Sequence, residues 1–184
     1  MSALELILIL GGAFLAVFWE SFFGGVRTLL GAQIDLLPAL TVYASLHGGA
    51  VGVALIAVCG GLFYDSLSAN PLGVTIFPLL LIGLAILFNR ELILKDQTFA
   101  QVVLGFGASI GVPLLTLIML LTKGSQPLTG WGTLWQLIVM GLGGAVATPV
   151  IFELFGWLKK SLGYRRAAEM AFRPDREIRR GRRY

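Results

Sequence analysis

The sequence predicts an all-α integral membrane protein, a bundle of six or five transmembrane helices in one domain. Three observations carry that expectation. Apolar residues make up 57% of the 184 positions and charged residues only 13%, about half the roughly 25% usual in soluble domains. Mean hydropathy is +0.85, so most of the exterior must face lipid. The apolar residues also fall in long runs separated by short turns, which leaves no room for a soluble domain.

A bilayer core is crossed by about twenty apolar residues of helix. The runs lie at residues 4–23, 34–47, 48–67, 71–88, 98–122 and 133–158. The second is short for a full crossing, and a five-span layout leaves it lying shallow. Residues 1–158 form the helical domain and residues 159–184 a basic cytoplasmic tail. Residues 6–23 read as a retained first span, because no Lys or Arg precedes them. His47-Gly48-Gly49 reads as a tight helical hairpin between the second and third runs. Gly124 to Gly130 reads as turn chemistry, with Trp131 and Trp135 at interfacial depth.

Orientation follows from Lys and Arg. Ten of the fourteen lie between Lys159 and Arg183, so a pI near 9.6 describes a tail, not a nucleic-acid-binding surface. Six spans put Arg90, Lys95 and the tail on one side, against Arg27 and Lys123 on the other. The richer side is cytoplasmic, with both termini there; five spans would move only the N-terminus outside. Lys159, Lys160, Arg165 and Arg166 are placed to meet anionic lipid or a cytoplasmic partner.

Helices in lipid associate through close packing of small residues. Ala50, Ala54, Ala57 and Gly61 are spaced four, three and four apart on one helical face, which leads to Asp65. Gly12 and Ala16 lead in the same way to Glu20. The acids in or beside the runs include Glu20, Asp35, Asp65 and Glu153. An acid there is costly unless paired or wetted. Asp35 is placed to cap the second helix and Glu153 to pair with Lys159 or Lys160.

Asp65 stands in the stretch Gly60-Gly61-Leu62-Phe63-Tyr64-Asp65-Ser66-Leu67-Ser68-Ala69-Asn70-Pro71-Leu72-Gly73. Asn70 followed by Pro71 has the form of an N-cap and first helical residue, so the fourth helix is expected to start there. Asp65, Ser68, Asn70, Pro71 and Gly73 are therefore candidates for a structural turn, a partner contact, or both. An Asp65→Ala variant is expected to keep normal abundance and to lose partner binding.

The residues supply no enzyme signature. His47 and Cys59 are the only histidine and cysteine, neither with a partner at metal-ligand spacing. No phosphate-cradling loop is present, and the middles of the runs hold no charge for a proton path. The expectation is no catalysis, no cofactor and no metal.

Asp35-Leu36-Leu37-Pro38, Val42-Tyr43-Ala44-Ser45-Leu46 and the Gly60–Gly73 stretch together resemble the rod shape-determining protein MreD family. That family carries a pattern like Gly-x-x-x-Asp-x-x-Ser-x-x-Pro-Leu-Gly, and Gly61, Asp65, Ser68, Pro71, Leu72 and Gly73 occupy it in order. Ile34 stands where the family usually has proline before the Asp. The resemblance implies a non-catalytic inner-membrane component of the bacterial cell-elongation machinery. Its partners would be MreC and, through MreC, MreB filaments, the RodA glycosyltransferase and the elongation transpeptidase. It also implies a fold similar to the substrate-binding subunits of energy-coupling-factor vitamin transporters. A small-molecule binding subunit is therefore the alternative function.

Overall fold

In the computed structural model the described residues are 3–22, 28, 31–68, 71–91, 97–122 and 130–171, with side chains in the last helix described as far as Ser161. Arg27, Asn70, Lys95, Lys123 and the tail beyond Ala171 lie outside them, as do the side chains of Arg165 and Arg166. Two compact units are distinguished, Met1–Phe152 and Glu153–Tyr184.

Every regular element among the described residues is helical. Helix α1 is Ala3–Phe22 and α2 is Leu37–Tyr43, with Pro38 in its first turn, where a missing N–H costs nothing. A π-helical turn, Ala44–Gly48, leads to α3, Gly49–Leu55. A second π-helical segment, Ile56–Gly60, joins α3 to α4, Gly61–Leu67. Then come α5, Ile76–Phe88; α6, Thr98–Thr122; and α7, Trp131–Ala171. The unit boundary at Phe152 falls inside α7, and the helix continues past residue 158, where the sequence suggested that the tail begins.

Among the described residues, three helical stretches are long and apolar enough to cross a membrane: Leu37–Leu67, Thr98–Thr122 and Trp131–Ser161. The exterior is apolar to match, with Phe22, Phe88, Phe99 and Trp131 each more than 70% exposed. The buried set includes Asp35, Thr41, Ser45, Asp65 and Thr148. The chain is a helical membrane protein.

The stretch Leu37–Leu67 is not one straight rod. Gly49 has φ 64° and ψ −167°, a region that essentially only glycine enters and through which no α-helix continues. A Cβ built on Gly60 would lie 2.9 Å from the Leu37 side chain, whereas a straight helix would separate those residues by about 34 Å. Thr41 and Val53 likewise both press on Gly83. The chain therefore folds back at Gly48–Gly49, making a hairpin whose first arm is α2 with its π turn. The second arm runs from α3 to α4. Seven and five residues give the first arm a length of at most roughly 18 Å.

The remaining contacts fix the direction of each segment. Ala13 lies 3.7 Å from the Cβ position of Gly60, and Glu20 is near Tyr64, so α1 runs parallel to the second arm. Gly61 abuts Ile76, and Gly83 abuts Val53, so α5 runs antiparallel to that arm. Ile82 touches Gly111, and Ile86 packs with Ala108, which reverses α6 against α5. Gly105 meets Thr148 and Gly141 meets Ile110, which reverses α7 against α6. Six segments thus alternate in direction, counting the hairpin arms separately.

Packing between α6 and α7 depends on bare backbone. A Cβ on Gly105 would fall 2.5 Å from the Gly144 carbonyl oxygen, so no side chain fits there. Among the buried hydroxyls, that of Ser109 has no hydrogen-bond partner and that of Thr75 donates to Asp65, while Thr41, Ser45, Thr116 and Thr148 each donate to the carbonyl four residues back. That is the common way to satisfy a hydroxyl where water is scarce.

Two expectations about helix faces and ends are corrected. The small-residue face predicted through Ala50, Ala54, Ala57 and Gly61 is not continuous: Ala57 and Gly61 are buried, while Ala50 and Ala54 are exposed. The π-helical segment Ile56–Gly60 changes the residues per turn, so a spacing that assumes 3.6 throughout loses register there. The buried row is instead Gly52, Val53, Ile56, Ala57, Gly60 and Gly61. On α1, Ala16 is buried beside Ala13 and Val17, and Gly12 is half-buried. The fourth helix does not start at Pro71 but at Ile76, because the preceding residues form a turn around Asp65.

Candidate functional site

The sequence-predicted polar residues gather near the end of the hairpin remote from Gly49. Asp65 projects from the last helical turn of α4 and is 2% exposed. Its Oδ2 accepts the amide of Gly73 at 2.8 Å and that of Thr75 at 3.2 Å. Its Oδ1 accepts the Thr75 hydroxyl. A buried carboxylate is tolerable when several donors converge on it, and here two of the three are main-chain amides.

This arrangement explains the spacing of the motif. Gly73 has φ +88°, a backbone state that favours glycine, and it turns its amide toward Asp65. Thr75 then occupies the N-cap position of α5, its hydroxyl and amide both committed to Asp65. Gly61 lies one turn before Asp65, and a Cβ on it would lie 3.2 Å from the Ile76 backbone. The absence of a side chain at 61 lets α5 come close enough for the carboxylate to reach. Ser68 ends α4, and its hydroxyl contacts the Asp65 carbonyl at 3.4 Å. Pro71 and Leu72 are exposed. Gly61, Asp65, Ser68 and Gly73 thus belong to one locked corner, with Thr75 and Ile76 as partners.

A second polar group forms where α1 meets the approach to the hairpin. Gln33 Nε2 donates to Glu20 Oε1 at 2.7 Å, and the Leu36 main chain also interacts with the Glu20 carboxyl group, although Glu20 Oε2 is buried without a close hydrogen-bond partner. Asp35 is 3% exposed, and its Oδ1 accepts the Leu37 amide at 2.8 Å, which caps the start of α2 as the sequence suggested. The Glu20 and Asp35 carboxylates interact electrostatically, and Tyr64 lies within reach of both and of Asp65. Gln136 of α7 reaches the Gln33 carbonyl at 3.5 Å, and Ile34 packs on Gly143 of the same helix. This cluster ties α1, the segment before α2 and α7 together.

Gln33, Tyr64 and Thr75 were not singled out from the sequence. Gln33 carried a signal, being a polar residue two before Asp35 at the head of an apolar run. Thr75 carried none, since ten residues separate it from Asp65. At the opposite end of the hairpin, His47 is exposed and stacks on Tyr43 at 4.7 Å, with Phe152 edge-on at 5.3 Å. Cys59 is a half-buried free thiol. Among the described residues, no group of three or more His, Cys, Asp or Glu side chains could hold a metal ion. Glu153 and Lys160 are exposed and Lys159 half-buried.

No family model, curated protein or solved structure matches the chain.

Proposed function

We propose that the chain is a non-catalytic membrane scaffold that binds other membrane proteins, a reading suggested by its resemblance to the MreD family. The observation that carries this reading is the corner itself. The residues of the family-like pattern are not scattered: Gly61, Asp65, Ser68 and Gly73 act together to fix one turn between two helices. The exposed residues of the corner, Ser66, Leu67, Pro71 and Leu72, are held in place by it and form the surface offered to a partner.

In this reading each hairpin arm counts as a crossing, giving six spans with both termini in the cytoplasm. The parallel course of α1 and the second arm supports that layout, because it puts the N-terminus at the end where Gly48 and Gly49 turn. The location is the bacterial inner membrane, and the partner is an MreC-like protein, leading to MreB, RodA and the elongation transpeptidase. The basic residues from Lys159 onward hold the cytoplasmic side against anionic lipid.

A second reading, the substrate-binding subunit of a vitamin transporter, is favoured by one observation. The Glu20, Gln33, Asp35 and Tyr64 cluster puts polar groups inside an apolar bundle, where a small ligand could use them. Affinity purification from detergent-solubilised membranes separates the two. Recovery of an MreC-like protein supports the scaffold; recovery of a transporter ATPase module without such a partner overturns it.

A further inference from the structure

We draw no further inference here: the strongest candidate, the buried Glu20–Gln33–Asp35 cluster between α1 and the start of the hairpin, is an acidic cluster with one unpartnered carboxylate oxygen, and nothing in the structure shows what ligand it would take.

Discussion

At the scale of single residues, the two buried carboxylate sites differ in how well they are satisfied. Asp65 has three donors, and removing its side chain strands the buried amide and hydroxyl of Thr75 and the half-buried amide of Gly73. An unsatisfied buried donor costs about 1–3 kcal/mol. Asp65→Ala is therefore expected to lower the thermal midpoint in detergent by several degrees and to reduce folded yield. That outcome differs from the normal abundance expected of a purely partner-facing Asp65. Asp65→Asn keeps one acceptor oxygen and should fall between the two; an Ala variant as stable as the parent would remove the locked corner from the account. Glu20 presents the opposite case, with a second buried acid, Asp35, nearby and one oxygen without a close donor. Glu20→Gln keeps the shape and an acceptor for Gln33 while removing an acidic group from a poorly solvated site. Its thermal midpoint should equal or exceed that of the parent, and a drop of several degrees would show that the carboxylate is better satisfied than its neighbours indicate.

At the scale of elements, glycine decides where helices stop and how closely they approach. Gly49 has open space around its Cβ position, so Gly49→Ala tests the backbone state alone, and roughly 1–3 kcal/mol of destabilisation is expected. Gly105 and Gly144 test the other role. Alanine at either meets a backbone oxygen of the opposite helix at under 3 Å, so each variant should separate α6 from α7 and lower the thermal midpoint markedly. Gly107→Ala, on the same helix with nothing nearby, should be neutral or slightly stabilising, since alanine favours helix by about 1 kcal/mol. Equal effects at 105 and 107 would mean that the close crossing is absent. The elements differ in how far they could be read in advance. The His47-Gly48-Gly49 turn was legible because adjacent glycines interrupt an apolar run, and α6 because a long uncharged run has few alternatives. The start of α5 was not, since Asn70-Pro71 looks locally like a helix start. Eight and ten residues along the chain from Asp65, two amides had already been committed to its carboxylate. The buried face of the second arm was misread for a related reason: a π-helical segment leaves no mark in a spacing rule built on 3.6 residues per turn.

At the scale of the whole molecule, the hairpin determines how many times the chain reverses. Were Leu37–Leu67 a straight helix, its 31 residues would cross once and put the Gly48–Gly49 turn at mid-depth. Folded back, it adds a reversal, and every later segment changes side. The fold can be tested first by cross-linking. A Leu37→Cys, Gly60→Cys pair on a Cys59→Ser background should form an oxidised cross-link within the monomer, which a separation of about 34 Å in a straight helix would forbid. Sidedness follows from the same geometry. Single cysteines at Arg90, Ser66 and Gly130, all exposed, should divide into two sets when labelled with a membrane-impermeant maleimide. Ser66→Cys and Gly130→Cys react in intact cells, while Arg90→Cys and an N-terminal tag become accessible only after the membrane is opened. Alternation of the six segments requires the N-terminus to share a side with Arg90, so a tag reached from outside would break the agreement between the antiparallel order of the bundle and six crossings. The short first arm would then lie within one leaflet, as the five-span layout has it. The basic residues beyond Lys159 bear on the same outcome, because a positive-inside tail holds that end of the chain in the cytoplasm under either count. The position of the N-terminus alone therefore distinguishes the two topologies.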